Sequence, residues 1–286
     1  MRHFLFVLLL GLVLGAAGLW ANWMLATPSH DREWRADYDR TVTVTGTGGV
    51  HEIGNVRDWS YALDGEVTDA TWINARIDPE TLKAAYFLKE PFGDSDAIAH
   101  TMLSFVFEDG SAYVVSVEAR REVGETYEPL KAAILPIFEY VFVWTTERDM
   151  FANTIFAAGD ELYVYPMVIP LDQQRAVLTA MIDATADIEK KPRFYNTLFS
   201  NCTNVLARSV NRISPGAVPW HVSWHLTGYS DAFLFEEGIL GGGATFEKAQ
   251  AAAEYTQQVR AVYPSADPAA FSTAVRVSAG ATSGEP

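Results

Sequence analysis

The chain of 286 residues is apolar and acidic, with 49% hydrophobic residues, 20% charged residues and a formal net charge of −15. This composition excludes an intrinsically disordered chain and a collagen-like one. The negative charge argues against a nucleic-acid-binding protein, which needs a basic surface, and against electrostatic docking on anionic lipid. The single cysteine excludes an intramolecular disulfide and a Cys-rich zinc site.

A long uncharged run near the N-terminus predicts a membrane anchor. Residues 4–26 contain no charged side chain, and about 20 apolar residues suffice to cross the hydrocarbon core as a helix. Trp20 and Trp23 lie near the far end of the run, where aromatic rings favour the membrane interface. We therefore expect an anchor over residues 1–26 that leaves the rest of the chain outside the cytoplasm. A cleaved signal peptide, cut after Ala17, is the alternative.

Strands and one helix are predicted in the first part of the domain. Residues 27–49 have the composition of a linker, and residues 50–58 and 66–77 have that of β-strands. The segment 79–81 opens a predicted helix over residues 82–88, with Asp78 as its N-cap. Residues 89–96 contain a proline and a glycine and are expected to form a loop.

A β-hairpin is the clearest element, because residues 100–108 and 111–120 flank Asp109-Gly110. A two-residue loop would place His100 opposite Ala119. A three-residue loop with Gly110 in the left-handed conformation would place His100 opposite Glu118. We prefer the second register, since only it brings the apolar odd positions of both strands onto one face. These positions are Leu103, Phe105, Phe107, Tyr113, Val115 and Val117.

Helices alternate with strands in the rest of the chain. The predicted helices cover residues 128–135, 148–157, 170–188, 201–213 and 246–260, and the predicted strands cover residues 138–146 and 162–169. The domain is expected to span residues 50–263, and residues 264–286 are small and polar and are expected to form a disordered tail. The fold class is therefore α+β, with an antiparallel sheet packed on helices.

Cys202 is the first candidate for chemistry. It lies in the first turn of the predicted helix 201–213, where Asn201 or Ser200 could act as N-cap. The positive end of the helix dipole favours a thiolate there. The aromatic segment 193–196 could form the wall of a cleft. The alternative is an inert buried thiol that shares an apolar helix face with Leu206.

A thiolate nucleophile needs a base, which is usually histidine. His100 begins the best-defined strand, and Glu118 opposite it would fix the imidazole tautomer. The alternatives are a strand-end histidine with no catalytic role and a Glu118 that is exposed or paired with an arginine. His221 and His225 lie four residues apart and could share a metal on a helix, but no third ligand is evident. Aromatic packing is therefore preferred for them, and we expect no metal and no other cofactor.

Seven short segments share their order and content with one known family. They resemble the Lnb N-terminal periplasmic domain family over roughly residues 55–240. The segments are 55–59 (NVRDW), 98–105 (IAHTMLSF), 116–120 (SVEAR), 147–149 (ERD), 194–197 (FYNT), 201–204 (NCTN) and 228–231 (GYSD).

The resemblance implies a circularly permuted papain-like fold, similar to NlpC-type peptidases and lecithin–retinol acyltransferases, in which the histidine strand precedes the cysteine helix. It implies Cys202 as nucleophile, His100 as base and Glu118 as the residue that orients the base. The protein that gives the family its name is implicated in bacterial lipoprotein N-acylation and carries further membrane helices after this domain. The resemblance implies a domain in the periplasm. Together with the apolar run of residues 4–26, it leads us to expect a single-pass protein of the inner membrane.

Two hypotheses for function follow. In the first, the protein is a membrane-anchored, cysteine-dependent acyltransferase or hydrolase that acts on a lipoprotein, a lipid or a cell-wall amide or ester. The backbone N–H of Cys202 would then stabilise the oxyanion, with the Asn201 side chain as a weaker donor. In the second, the domain is a non-catalytic envelope binding module that uses the aromatic segment 219–238. The expected partners are the membrane and this substrate, and no nucleic acid.

Overall fold

A mixed β-sheet forms the centre of the computed structural model, which describes residues 2–47, 49–93 and 95–282. The order of the main strands is β1-β2-β7-β6-β5-β4-β8, while β3 pairs along most of β2 and β9 pairs with β7. The strands are β1 (Thr43–Thr47), β2 (Val50–Tyr61), β3 (Val67–Ile77), β4 (Leu82–Pro91), β5 (Ala99–Phe107), β6 (Ala112–Arg120), β7 (Glu139–Thr146), β8 (Tyr163–Pro166) and β9 (Arg193–Phe194).

The predicted antiparallel sheet needs one correction. Among the described strands, β2 and β7 pair in parallel through Arg57 and Thr145, and the other pairs are antiparallel. Short-range sequence patterns could not reveal this contact because about 80 residues separate the two strands, and parallel neighbours need a crossover connection. The α+β class stands, with a mixed sheet.

Helices cover both faces of the sheet. The helix α4 packs against α5 and against β1, β4 and β7 on one face, and α3, α8 and α9 pack together on the other. The helices are α1 (Arg2–Leu25), α2 (Pro129–Ile134), α3 (Glu147–Ala152), α4 (Leu171–Lys190), α5 (Cys202–Ile213), α6 (Ser230–Glu236), α7 (Phe246–Ala253), α8 (Thr256–Val262) and α9 (Phe271–Thr282). A π-helical turn, Asn153–Ala158, follows α3 directly.

Two apolar cores result from this layering. The larger core lies between the sheet and the α4–α5 layer, with Trp144, Phe105 and Met181 fully buried in it. The smaller core lies between the other face of the sheet, which includes Met102, and the helices α3, α8 and α9. Phe271 is fully buried in it. Burial of large apolar side chains of this kind provides the main favourable free energy of folding.

The hairpin adopts the register expected from its side-chain alternation. Met102 pairs with Ser116 and Phe105 with Tyr113, so paired residue numbers add up to 218. Gly110 takes the left-handed conformation, with φ of 86°. A two-residue loop would have turned the apolar residues of the two strands to opposite faces.

The segment 82–88 forms a strand, and the prediction of a helix there is wrong. Asp78 does cap a turn, since its side chain accepts a hydrogen bond from Glu80 N, but only a 3₁₀ turn over residues 79–81 follows. The chain then continues as β4, which pairs with β5 on one side and β8 on the other. Backbone pairing with two strands outweighs the helix propensity of its alanine, leucine and lysine residues.

Both ends of the domain also differ from the expectation. The predicted linker contains β1, and Trp34, Tyr38 and Val42 of this segment are buried. The predicted disordered tail forms α9, whose Phe271 and Val275 are fully buried in the smaller core. Residues 283–286 of that tail lie outside the described residues. The apolar residues of the segment 271–279 are spaced so that they share one helix face. Packing of this face against the apolar residues of the smaller core stabilises the helix.

The apolar N-terminal run is helical, as expected. Residues His3–Leu25 form a helix with a mean hydropathy of 2.4 and no buried part, long enough to cross a membrane. Its end contacts the domain, because Trp23 Nε1 donates a hydrogen bond to the backbone oxygen of Ile134 at 2.8 Å. The ring of Trp23 also meets that of Phe194 edge to face, with 6.1 Å between the centroids.

The packing of α9 makes a stability prediction. Phe271→Ala should lower the free energy of unfolding of the full chain by about 3–5 kcal/mol, since it removes a fully buried ring and leaves a cavity. Val277→Ala on the exposed face of α9 is the matched control and should change it by less than about 0.5 kcal/mol. Thermal unfolding of the detergent-solubilised protein measures both, and equal midpoints would show that α9 is not part of the folded unit.

Candidate functional site

The three residues singled out from the sequence lie together. His100 Nε2 is 2.8 Å from Glu118 Oε1. The contact is an ion pair without an aligned hydrogen bond. The imidazole of His100 also lies near the Cys202 thiol, close enough for each group to shift the pKa of the other. All three side chains line one cavity of about 480 Å³.

Charge and burial act against each other at this contact. Burial alone would raise the pKa of Cys202, but the hydrogen bond and positive charge of His100, with hydrogen bonds from Thr101, outweigh it and hold the pKa below its usual value. Burial likewise opposes the charge on His100, but Glu118 and Cys202 raise the pKa of the imidazole well above its ordinary value. The geometry therefore favours a thiolate–imidazolium pair.

Glu118 is held as a carboxylate. Burial would raise its pKa, yet the nearby charge of His100 and a hydrogen bond from Ser116 lower that pKa to about 2. Ser116 Oγ donates to Glu118 Oε1 at 2.8 Å. Because Ser116 and Glu118 lie two residues apart on β6, they share a face of the strand with His100 opposite.

The start of β5 is fixed by the segment that precedes α6. Thr227 Oγ1 accepts a hydrogen bond from Ala99 N at 2.9 Å and donates one to Ala99 O at 2.6 Å. At Gly228 a Cβ atom would lie 1.9 Å from the backbone oxygen of Asp96, so only glycine allows this approach. These contacts hold the residue next to His100 and thereby the strand position of the imidazole.

Two buried ion pairs account for charged residues in other short segments that the sequence analysis singled out. Arg57 donates three hydrogen bonds of 2.9–3.2 Å to Asp149, which ties β2 to α3 beside the cavity. Lys89 on β4 forms an ion pair with Asp231 on α6, and Tyr165 also donates a hydrogen bond to that carboxylate at 2.7 Å. Each pair joins segments that are distant in sequence, so both keep the walls of the site in place.

Cys202 is the first residue of α5, as expected. Asn201 is the N-cap, because its side-chain oxygen accepts a hydrogen bond from Asn204 N at 2.8 Å. The N–H groups of the first helical turn have no acceptor within the helix, and the dipole is positive at this end. The backbone N–H of Cys202 is thus suited to meet a negatively charged oxygen.

The side-chain amide of Asn201 is not free to donate a hydrogen bond to a substrate oxygen. Its Nδ2 donates to the backbone oxygens of Thr197 and Trp224, at 2.9 and 3.0 Å. Both amide hydrogens are therefore used within the protein, and the expected weaker oxyanion contact from this side chain does not fit the geometry. Asn201 instead positions the loop and the helix start around Cys202.

Glu90 belongs to the site and was missed in the sequence. It pairs with His100 across β4 and β5, lines the same cavity, and accepts a hydrogen bond from Thr154 Oγ1 at 3.0 Å. Burial raises the pKa of Glu90 to about 7, and Glu118 adds to this while His100 opposes it. No sequence signal pointed to Glu90, because its segment was expected to be a loop.

Tyrosine and histidine residues complete the cavity wall. Tyr195, from the aromatic loop that was expected to form a cleft wall, lines the cavity, and its hydroxyl lies 3.3 Å from that of Tyr127. Burial and the nearby charge of Cys202 raise the pKa of Tyr195 well above its usual value, so the hydroxyl keeps its proton. His225 lines the cavity too, with its Nδ1 2.6 Å from the backbone oxygen of Leu198.

His221 and His225, which could have shared a metal by their spacing, contact aromatic rings. His221 stacks on Phe233, with 4.3 Å between the ring centroids, and accepts a hydrogen bond from Ser223 N. His225 instead meets Phe199 edge to face and Trp220 at a tilted angle. Their engagement with rings matches the preferred interpretation of aromatic packing.

A second cavity lies on the other side of Cys202. It measures about 510 Å³ and is lined mainly by apolar residues of α4, α5 and α6, among them Val177, Leu206 and Phe233. Thr101 and Thr203 also line it, and their hydroxyls are hydrogen-bonded to each other at 2.9 Å. Because Thr101 and Thr203 also contact the thiol, Cys202 lies at the boundary of the two cavities.

The thiol–imidazole contact predicts the pH dependence of alkylation. A lowered pKa of Cys202 means that the thiolate forms at lower pH, so the alkylation rate by iodoacetamide should level off at a lower pH than it does for an ordinary thiol. His100→Ala should shift the profile to higher pH. His51→Ala, which replaces a histidine of β2 outside the cavity, is the matched control and should leave it unchanged. A profile that is the same with and without His100 would contradict the pair.

The buried carboxyl group of Glu90 predicts a second pH dependence. Between pH 4.5 and 7 the folded protein keeps a proton on Glu90 that the unfolded chain has lost, so this group makes stability fall as the pH rises. Glu90→Gln should be more stable than the parent above pH 7, by up to about 3 kcal/mol. The difference should vanish near pH 4.5. Denaturant titrations across this range measure it, Glu66→Gln on the surface is the control, and parallel curves would contradict the assignment.

The chain matches a family model, but no individual known protein. Neither a curated protein nor a solved structure matches the chain significantly. The model of the Lnb N-terminal periplasmic domain matches residues 68–227, which is more than half of the chain and includes His100, Glu118 and Cys202. Among the described residues, one helix is long and apolar enough to cross a membrane, and it precedes the matched domain. This arrangement fits an extracytoplasmic, membrane-associated protein with single-pass topology. The chain belongs to the Lnb N-terminal periplasmic domain family.

Proposed function

We propose that the domain is a cysteine-dependent acyltransferase or hydrolase of the periplasm, anchored in the inner membrane by α1. The observation that carries the proposal is the contact of a thiol, an imidazole and a carboxylate in the wall of one open cavity. This arrangement supplies a nucleophile, a base and a residue that orients the base. The order of a histidine strand before a cysteine helix supports a permuted papain-like relationship.

The chemistry proceeds through a thioester. The Cys202 thiolate attacks the carbonyl carbon of an ester or amide, and the tetrahedral intermediate collapses as His100 gives its proton to the leaving alcohol or amine. An incoming amine, or water, then attacks the thioester while His100 accepts a proton from it. Collapse of this second intermediate releases the acylated product and restores the thiolate. Since Nε2 of His100 faces Glu118, Nδ1 is the ring nitrogen left to exchange protons.

Two donors support stabilisation of the oxyanion. The first is the backbone N–H of Cys202 at the start of α5. The second is the hydroxyl of Tyr195, which lines the cavity, remains protonated and is close enough to feel the charge on Cys202. We assign Asn201 a positioning role, because its amide hydrogens already bind Thr197 and Trp224.

The second cavity favours an acyl donor with an aliphatic chain. It is mainly apolar, it begins next to the thiol at Thr101 and Thr203, and it is of a size typical for small-molecule sites. A lipid or a lipoprotein has such a chain, whereas a cell-wall peptide does not. The anchor α1 supports the same choice, since it keeps the domain at the membrane.

The alternative of a non-catalytic binding module predicts an unreactive thiol. A buried cysteine without a charged partner has a raised pKa. Here the pKa of Cys202 is lowered by His100, and the thiol lines a cavity. These two features favour the enzyme.

An acyl-enzyme on Cys202 is the expected intermediate. Incubation of the full chain with activated esters of short and long acyl chains should add the mass of the acyl group to Cys202, faster for the long chain. Cys202→Ala should abolish the adduct, and His100→Ala should slow its formation by at least about a hundredfold. His51→Ala should behave as the parent.

Mass spectrometry of the intact protein and its peptides measures these adducts. Cys202→Ala with full turnover of an ester, or an adduct that forms equally fast without His100, would overturn the proposed function. Equal rates for short and long chains would remove only the assignment of the second cavity.

A further inference from the structure

A set of exposed apolar side chains lies beside the cavity that holds Cys202. Each has between 41% and 75% of its surface exposed, although each is a large apolar residue. Contiguous exposed apolar residues on a soluble domain mark an interaction surface. These residues, which we call the rim patch, are Leu130, Ile134, Leu198, Phe199, Trp220 and Leu226.

Contacts along the rim patch show that it is continuous. The ring of His225 lies between those of Phe199 and Trp220, at centroid distances of 6.2 and 6.3 Å. His225 also reaches the backbone of Leu198. The neighbouring Thr197 donates a hydrogen bond at 2.8 Å to the backbone oxygen of Pro129, the first residue of α2.

The rim patch also borders the cavity. Pro129, Thr197, His225 and Leu226 all line the cavity that contains Cys202. A ligand that enters this cavity past the rim therefore crosses an apolar border. The two ends of the patch lie on α2 and on the aromatic segment around Trp220.

The rim patch begins where α1 ends. Trp23, at the end of α1, donates its indole hydrogen to the backbone oxygen of Ile134 on α2. Tryptophan at the end of an apolar helix favours the interface between hydrocarbon and headgroups. The contact between Trp23 and α2 therefore holds the rim patch at the height of that interface.

We propose that the rim patch lies on the bilayer surface, so that the mouth of the Cys202 cavity opens toward the membrane. The occupant of the patch is the lipid interface in which α1 is anchored. Apolar and aromatic side chains drive this contact, since the chain has a net charge of −15 and gains nothing from anionic lipid. The proposal rests on α1 as an anchor and does not depend on catalysis.

The sheet provides matched controls at the opposite end of the domain. The rim patch lies near the beginning of β7, where β9 pairs with Glu139. Both controls lie near the other end of β7. Leu63 follows β2, which runs parallel to β7 and extends past its end, and Val277 is on α9, which packs on the helix α3 that follows β7. Both side chains are about as exposed as Phe199, at 60% and 67% against 63%.

Site-directed spin labelling of the full chain tests the proposal. In a Cys202→Ser background, single cysteines at Phe199, Trp220 or Leu130 carry a nitroxide, and the protein is reconstituted into phosphatidylcholine vesicles. Labels at Leu63 and Val277 are the controls, and a label at Leu12 within α1 reports on the anchor. Power saturation compares collisions with oxygen, which dissolves in lipid, and with a water-soluble nickel chelate.

We expect the labels at Phe199, Trp220 and Leu130 to collide more with oxygen than with nickel, as the label at Leu12 does, and the two controls to show the reverse. Rim labels as accessible to nickel as Leu63 would overturn the proposal. Rim labels shielded from both reagents would also overturn it, since they would indicate a protein partner. A water-exposed label at Leu12 would remove its premise. None of these outcomes bears on the acyl-enzyme, so the two proposals fail separately.

Discussion

The register of the β5–β6 hairpin is the constraint on which the site depends. Because side chains alternate along a strand, one register decides both which residues face the larger core and which residue lies opposite His100. The three-residue loop at Gly110 gives both strands a common apolar face for the helix layer. The same loop places Glu118 where it can bind the imidazole. A slip by one residue would lose the core packing and the ion pair together.

The chemistry of the site follows from charges held in a partly buried place. Burial opposes the charge on Cys202, His100 and Glu118 alike. His100 stabilises the charged forms of Cys202 and Glu118, and these two groups stabilise the charge on His100. Such a set is stable only if its members cannot move apart. The contact of Thr227 with Ala99 fixes the strand position of His100, and the contact of Asn201 with the loop before α5 fixes the helix start at Cys202. Preorganisation of this kind lets polar groups act on a substrate without first rearranging.

Cys202 lies between two cavities of different character. On one side lies the cavity with His100 and Glu90, which the rim patch borders. On the other side lies the apolar cavity beside α5. In the function that we propose, a molecule with a reactive carbonyl and an aliphatic chain occupies this pair of cavities. The end of α1 lies against α2 at the rim, so the anchor and the site are parts of one surface.

The sequence by itself determined the elements that local physics controls. The uncharged run of α1, the alternation and Gly110 of the hairpin, and the capping of α5 by Asn201 are short-range signals, and they led to Cys202, His100 and Glu118. Only the tertiary structure decided that residues 82–91 form a strand that brings Glu90 to His100 and that α9 is packed. It alone also revealed the parallel pairing of β2 with β7, the use of both Asn201 amide hydrogens and the two cavities. The physical reason is that these features arise between segments far apart in the chain, whose pairing and packing outweigh local preference.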